Sequence, residues 1–222
     1  RLKQVVANLT KGNQYWQEYS GYLIITEDLF NNFDWDEIAL GAHVEKAGVN
    51  EGYKKTEETF DKNIKDFAEF MVAYRIADLE LKDKYNEAVH SDFYNHFSWH
   101  RLTKEELNYF PAVIFIGEAH GFLKNNLTRF STLLSANKPI RLMAIDKRLV
   151  NEPNPDLDWE DASHGFRQEL AALAFAHRST HTFQCAVNQP VNAYIGMQQC
   201  LQVDAPSIMH YLIPDSGEVA LT

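Results

Sequence analysis

Residues 111–117 read Pro111-Ala112-Val113-Ile114-Phe115-Ile116-Gly117, a continuous apolar run that ends in a glycine. A run of this kind predicts a strand that is buried on both faces of a parallel sheet. Three further strands are predicted along the chain, at residues 140–145, 181–187 and 207–213. The first of these three is followed directly by Asp146. The second half of the chain therefore contains four predicted strands.

The segments between these strands are predicted to be helices. Leucine and phenylalanine recur at helical spacing over residues 123–134, and residues 166–177 predict a second helix. Pro190 is typical of the first turn of a third helix. Strands that alternate with helices imply right-handed crossovers and a parallel sheet covered by helices on both faces. The predicted class for residues 111–222 is α/β.

The first half, residues 1–110, is predicted to be a mainly helical lead-in that forms one compact unit with the α/β region. The longest helix is predicted over residues 57–89, where apolar side chains are spaced by three or four, with Thr56 as its N-cap. Residues 22–25 predict a short strand. Three glycines predict a loop-rich stretch around residues 41–55.

Composition excludes several classes of function. The 222 residues are 45% hydrophobic, which suffices for a core. Lys and Arg number 21 against 31 for Asp and Glu, and the net charge of −10 is opposite to the basic face that nucleic-acid binding needs. Two cysteines cannot supply the four ligands of an iron–sulfur cluster. Two cysteines cannot build a disulfide framework either, so a reducing cytoplasm is the expected location. No apolar run reaches the roughly 18 residues of a membrane span.

Polar residues follow each predicted strand, and ligands of parallel sheets bind beyond the carboxyl ends of the strands. This rule selects Glu118 and His120 after the first strand, Asp146 and Lys147 after the second, Asn188 after the third and Asp215 after the fourth. The densest group is Gly117-Glu118-Ala119-His120-Gly121. Its glycines would let backbone N–H groups approach an anion while Glu118 holds a metal. The same pattern also fits a plain turn, with Glu118 near a helix N-terminus.

Histidines and cysteines give weaker signals. His96 and His100 have the i, i+4 spacing that places two imidazoles on one helix face, which predicts either half a zinc site or an aromatic packing corner. His210 lies inside an apolar strand and is predicted to be a core histidine. Cys185 and Cys200 are interpreted as small buried hydrophobes rather than nucleophiles.

Motifs of the second half follow one another in a recognisable order. They are Ile116-Gly117 with an acid after the first strand, Leu133-Leu134-Ser135-Ala136 at a helix end, Asp146 after the second strand, residues 169–177 as a helix, and Ala205-Pro206-Ser207-Ile208-Met209-His210-Tyr211. This series resembles the thiamine-diphosphate domain of pyruvate:ferredoxin oxidoreductase and related 2-oxoacid:acceptor oxidoreductases. The resemblance covers residues 111–216.

The resemblance implies thiamine diphosphate and Mg²⁺ as cofactors and a 2-oxoacid as substrate. Glu118 stands where the family has its metal-binding aspartate, and Gly117 and Gly121 would shape the diphosphate turn. Lys147 stands where the family has a threonine ligand of magnesium, which implies a phosphate contact instead. Pro214-Asp215 stands where the family has a Pro-Cys cluster ligand, so the cofactor motifs are degenerate and no iron–sulfur cluster is implied within this chain.

No catalytic residue is predicted, and two other functions stay open. One is a non-catalytic assembly domain that keeps the fold without cofactor. The other is an unrelated hydrolase that uses Glu118, His120 and Asp146. The resemblance implies other domains or subunits of an oxidoreductase-like assembly as partners, and we expect a homo-oligomer with no nucleic-acid partner.

Overall fold

The computed structural model describes residues 2–18, 20–39, 41–124, 126–146 and 166–213. The strands are β1 (Gly21–Thr26), β2 (Ala42–Ala47), β3 (Ala112–Glu118), β4 (Ile140–Asp146), β5 (His181–Ala186) and β6 (Ser207–Leu212). The helices are α1 (Leu2–Glu18), α2 (Glu27–Phe30), α3 (Trp35–Ile38), α4 (Val49–Leu81), α5 (Glu87–Asn95), α6 (Lys104–Leu107), α7 (Ala119–Leu123), α8 (Leu127–Ser135), α9 (Phe166–Ala176) and α10 (Pro190–Gln202), with a 3-10 turn at Trp99–Arg101. No helix within these ranges combines the length and the apolar composition that crossing a membrane requires.

The strands form one sheet in the order β2-β1-β3-β4-β6-β5, and every neighbouring pair is parallel. The four strands predicted in the second half are confirmed within two residues at each end. The inner strands β3, β4 and β6 are rich in apolar residues because helices cover both faces of the sheet, whereas the edge strand β5 contains His181, Thr182 and Gln184. The α/β class is confirmed.

The first half is mainly helical, and it also contributes two strands to the same sheet. The predicted strand at residues 22–25 is β1. The loop-rich prediction for residues 41–55 is wrong, because this stretch contains β2 and the beginning of α4. Strand β2 is an edge strand of mixed polar and apolar residues, and it therefore lacks the continuous apolar signal of a central strand.

The long helix α4 begins earlier than predicted. Its N-cap is Gly48 rather than Thr56, and the chain turns at Asp83, which has a φ of 52°, before α5 begins. Thr56 lies inside the helix, fully buried, where its hydroxyl donates to the Gly52 carbonyl at 2.6 Å. The predicted apolar stripe is confirmed at Phe60 and its neighbours, whereas Tyr74 is 55% exposed.

One face of the sheet packs against α4, α7, α8 and α9 around a core that includes Phe60, Phe115 and Phe122, all fully buried. Close approach of α4 to β3 depends on Gly52. A β-carbon at Gly52 would lie 2.3 Å from Cζ of Phe115, so no larger residue fits without displacement. This contact sets the position of α4 over the centre of the sheet.

The other face packs against α2 and α10. On this face, Arg141 at the beginning of β4 is 5% exposed and donates to the carbonyls of Leu201, Val203 and Ala205 at 3.1, 2.5 and 3.0 Å. These carbonyls lie at or beyond the C-terminal end of α10, where the helix dipole is negative and favours a cation. Burial lowers the pKa of Arg141 to about 10. The arginine thereby anchors the end of α10 to the sheet.

Candidate functional site

Strands β1 and β3 are neighbours in the sheet, and the helices that follow them, α2 and α7, pack on opposite faces. Leu29 of α2 packs with Ile25 and Ile116, whereas Phe122 of α7 packs with Phe115 on the other face. In open parallel sheets such a divergence leaves a crevice at the carboxyl ends of the strands, where ligands bind. We call this place the β1–β3 crevice and define it by Thr26, Gly117 and Glu118.

Glu118 is the last residue of β3 and the N-cap residue of α7. It is partly exposed, and its side chain makes no capping hydrogen bond to α7. The carboxylate therefore lies at the crevice without being needed to begin the helix. Of the predicted site residues, Glu118 has the position that best suits a ligand.

The short helix that follows Glu118 is held by side chains from two other segments. The Tyr53 hydroxyl, on α4, donates to the Phe122 carbonyl at 3.0 Å. The Asn126 amide donates to the carbonyls of Gly121 and Lys124 at 3.2 and 3.0 Å. Burial raises the pKa of Tyr53, which keeps its hydroxyl a donor. These bonds fix the backbone immediately after Glu118.

The two glycines of the predicted diphosphate turn have other roles in the fold. Gly117 lies within β3 and Gly121 within α7, and neither has the positive φ that only a glycine adopts readily. A β-carbon at Gly117 would lie 2.8 Å from Cγ2 of Thr26 and 3.0 Å from Cζ of Phe122. Packing alone therefore requires glycine at position 117.

Thr26 ends β1 beside Gly117 and is 1% exposed. Its hydroxyl has no hydrogen-bond partner among the described residues. Because side chains alternate along a strand, Thr26 and Glu118 emerge on opposite sides of the sheet. Thr26 thus lines the crevice wall under α7, and no local sequence pattern indicates this role, because it depends on β1 lying beside β3.

A second polar group lies at the end of β4. Asp146 is 6% exposed, and its Oδ2 lies 3.6 Å from Nε2 of the fully buried His210. The Gln184 amide nitrogen lies 2.9 Å from Nδ1 of His210. An amide nitrogen only donates, so Nδ1 of His210 accepts this bond. The prediction of a core histidine at position 210 is confirmed.

Carboxylates predominate at this edge of the sheet. Glu27 and Asp28 begin α2 directly after β1, Glu118 follows in β3, and Asp146 ends β4. Parallel strands place these four groups at the same edge. The edge therefore favours a cation, and an anionic ligand would need a cation to accompany it.

The structure does not bring the residues of the hydrolase hypothesis together as a metal centre. Within the described residues, no group of three His, Cys, Asp or Glu side chains is arranged to hold a metal ion. His120 lies in α7 and is partly buried, while Asp146 lies beside His210 at the end of β4. Asn188 is exposed in the turn after β5. Lys147 and Asp215 lie outside the described residues.

The remaining histidine and cysteine predictions have clear outcomes. His96 is the C-cap residue of α5 and His100 lies in the 3-10 turn, so the expectation that one helix face carries both is wrong. His100 stacks on Trp99 with ring centroids 3.9 Å apart, which confirms the aromatic packing corner. Cys185 and Cys200 are buried free thiols, and burial raises the pKa of Cys200 to about 11.

Comparison with models of known protein families finds no match to this chain. No curated protein shows significant similarity to it.

Proposed function

We propose that this chain is a domain of a 2-oxoacid:acceptor oxidoreductase, similar to pyruvate:ferredoxin oxidoreductase, whose thiamine-diphosphate motifs are degenerate. The observation that carries the proposal is the position of Glu118. It lies at the end of a central parallel strand, at the β1–β3 crevice, without capping α7. This is the place where the resemblance puts the acid that binds the metal.

The electrostatics of the edge support a ligand that arrives with a divalent cation. A free diphosphate would be repelled by the carboxylates that follow β1 and end β3 and β4, whereas a magnesium diphosphate would bring the counter-charge with it. Mg²⁺ is commonly held by one or two carboxylates together with phosphate oxygens and waters. Glu118 fits the role of one such carboxylate.

The rest of the expected metal site is a poorer fit. Gly117 is enclosed by Thr26 and Phe122, so its α-carbon does not face an open cradle. Among the described residues, no two further His, Cys, Asp or Glu side chains are placed to complete a metal site with Glu118. Lys147 stands where the resembled family has its threonine ligand of magnesium, and it lies outside the described residues. We therefore propose Glu118 as the metal contact and describe the site as degenerate.

The chemistry that bound thiamine diphosphate supplies is decarboxylation of a 2-oxoacid, with the cofactor as electron sink. The part played by this chain is to bind and orient. Glu118 would hold the cation, and the bonds from Tyr53 and Asn126 to α7 would fix the direction in which Glu118 points. No side chain of the described residues is assigned a proton-transfer step.

Thermal unfolding in the presence of Mg²⁺, with and without thiamine diphosphate, tests the proposal. A ligand at one hundred times its dissociation constant adds about 2.7 kcal/mol to the free energy of unfolding. At this chain length each kcal/mol raises the midpoint by roughly 2–4 °C, so we expect a rise of several degrees in the parent chain. The variant Glu118→Ala should lose that rise.

Glu87→Ala is the matched control, because Glu87 is an exposed acid at the beginning of α5. It should keep the full response to the cofactor. A parent chain whose midpoint does not move at millimolar cofactor would contradict the proposal. An equal loss of response in both variants would remove Glu118 from the site.

A non-catalytic assembly domain is the second candidate, and one specific observation favours it. The glycine that would face the diphosphate is instead packed between Thr26 and Phe122, as expected where the fold is kept and the pocket is filled. This function predicts no cofactor response in the parent chain or in Glu118→Ala. The unfolding experiment therefore distinguishes the two candidates.

A further inference from the structure

The segment that joins β1 to β2 at the carboxyl edge of the sheet carries concentrated negative charge. Residues 27–38, which contain α2 and α3, include five Asp or Glu and no Lys or Arg. We call these residues the α2–α3 segment. Along the chain the nearest basic side chains are Lys11 and Lys46. The α2–α3 segment therefore contributes −5 of the net charge of −10.

Most acids of the α2–α3 segment have no cation beside them. Four of the five are exposed and form no ion pair within the described part of the chain. They are Glu27, Asp28, Asp34 and Glu37. Lys46 reaches this segment, but its ammonium donates to Oδ1 of Asn31 at 3.2 Å rather than to a carboxylate. The four carboxylates therefore favour a cation that arrives from outside.

Apolar side chains are exposed among these acids. Phe33 is 52% exposed and Ile38 is 60% exposed. The ring of Phe33 meets that of Trp35 edge to face, with centroids 5.5 Å apart. Trp35 in turn packs towards Leu29, and its Nε1 donates to the Phe30 carbonyl at 3.0 Å. Phe33 is thus held in position by a fixed neighbour, so that binding to it costs little side-chain entropy.

Another part of the chain shows what an aromatic ring and a carboxylate hold together. The guanidinium of Arg75 lies 5.0 Å from the centroid of the Phe97 ring and makes two hydrogen bonds to Glu106. Arginine suits this place because its planar group stacks on rings and matches the two oxygens of a carboxylate. In the α2–α3 segment no Lys or Arg of the described residues stacks on Phe33 or Trp35. The segment therefore presents the ring and the acids of such a contact without its arginine.

Charge decides what kind of partner fits the α2–α3 segment. Nucleic acids and anionic lipid surfaces carry the same sign of charge as the segment and are repelled by it. A second copy of the chain would bring a further −10 and the same acids. A metal ion would pair with the carboxylates but would leave Phe33 and Ile38 uncovered. A basic protein segment that also carries apolar side chains satisfies both the charge and the exposed apolar residues.

We propose that the α2–α3 segment docks an arginine-rich segment of another protein in which apolar residues lie beside the arginines. Arginines of the partner would pair with Asp28 and Glu37 and stack on Phe33. Its apolar side chains would cover Ile38. Because α2 begins directly after Thr26, the partner would be held beside the β1–β3 crevice. This inference does not depend on cofactor binding, and the failure of either proposal leaves the other standing.

Fluorescence anisotropy with labelled synthetic peptides tests the inference on the 222-residue chain at physiological ionic strength. We expect a peptide that alternates arginine and leucine to bind, and one that alternates glutamate and leucine not to bind. The double variant Asp28→Asn/Glu37→Gln should weaken binding roughly fivefold or more, because it removes two exposed ion pairs. Glu58→Gln/Glu69→Gln is the matched control, since it removes two exposed carboxylates of α4. Salt screens distant charges, so the control should bind almost as the parent chain does.

The apolar part of the contact is tested separately. Phe33→Ser should weaken binding of the arginine–leucine peptide, whereas Tyr109→Ser, at an aromatic position that is 79% exposed, should not. Far-UV circular dichroism establishes that each variant is folded, and Ile38→Ser replaces Phe33→Ser if the latter does not fold.

Three results would overturn the inference. The first is a parent chain that does not bind the arginine–leucine peptide at millimolar concentration. The second is an equal loss of binding in both double variants, because net charge rather than the α2–α3 segment would then attract the peptide. The third is equally tight binding of a peptide that alternates arginine and serine, because the exposed apolar residues would then play no part.

Discussion

At the scale of single residues, the β1–β3 crevice is built from side chains with unusual surroundings. Thr26 is buried with a hydroxyl that lacks a hydrogen-bond partner among the described residues, and Glu118 is placed at a helix start without capping it. A buried hydroxyl without a partner costs free energy that a methyl group in its place would not. Such a cost is typical of binding sites, where stability yields to function.

Thr26→Val should therefore raise the free energy of unfolding of the ligand-free chain by about 1 kcal/mol, because it removes the hydroxyl and keeps the shape. Urea unfolding at neutral pH measures the change. Thr56→Val is the control, since Thr56 is equally buried but its hydroxyl donates to the Gly52 carbonyl. Thr56→Val should lower the free energy of unfolding. If Thr26→Val also lowers it, the Thr26 hydroxyl has a hydrogen-bond partner and the prediction is wrong.

At the scale of elements, the sequence predicted those whose signal is local. Strand β3 is a continuous apolar run, and β4 and β6 are mainly apolar, because helices cover both faces at the centre of the sheet, whereas edge strand β5 mixes polar and apolar residues. The sequence does not predict the edge strand β2, because His43, Glu45 and Lys46 interrupt its apolar pattern. The predicted start of α4 is too late because two glycines, Gly48 and Gly52, are typical of a loop. In the structure Gly52 lies within the helix, where it allows close contact with Phe115.

Gly52→Ala should destabilise the chain by about 1–3 kcal/mol, although alanine favours helices over glycine. The added methyl would lie 2.3 Å from Cζ of Phe115, so α4 or the ring must move. Gly48→Ala, at the N-cap, meets no atom within 4 Å and should change stability by less than about 1 kcal/mol. Thermal unfolding of both variants checks the difference, and equal midpoints would refute the packing argument.

Another contact joins α4 to α6 and should make stability depend on pH. Burial alone would raise the pKa of Glu106, but hydrogen bonds from Arg75 and from the Thr103 backbone, with the charge of Arg75, outweigh burial and lower it. The two Arg75–Glu106 bonds measure 2.8 and 2.5 Å. A carboxyl with a lowered pKa stabilises the folded state above its unfolded pKa, and this contribution is lost as the pH falls through the folded pKa.

Glu106→Gln should accordingly cost about 1 kcal/mol at neutral pH, and the difference from the parent chain should shrink below pH of about 4.5. Urea unfolding at a series of pH values measures it. The substitution keeps the length of the side chain that completes the capping box with Thr103. Glu69→Gln, at an exposed position of α4, should leave the profile unchanged. A difference that stays constant down to acid pH would contradict the assignment.

At the scale of the whole molecule, the order of the strands decides which residues meet, and no local pattern contains that order. The strand-end rule placed Glu118 and Asp146 at one edge of the sheet, as the structure does. That Asp146 lies beside His210 follows only from β6 being inserted next to β4. That Thr26 lies beside Gly117 follows from β1 being the neighbour of β3.

The most direct test of a ligand site at the β1–β3 crevice is to locate the metal. Mn²⁺ in place of Mg²⁺, added with thiamine diphosphate to the ¹⁵N-labelled chain, broadens amide resonances near the bound ion. We expect the Gly117 and Glu118 amides to broaden, while those of Gly21 and Ala112, about 20 Å away at the other end of β1 and β3, stay sharp. Amides that broaden elsewhere while Glu118 stays sharp would contradict the account.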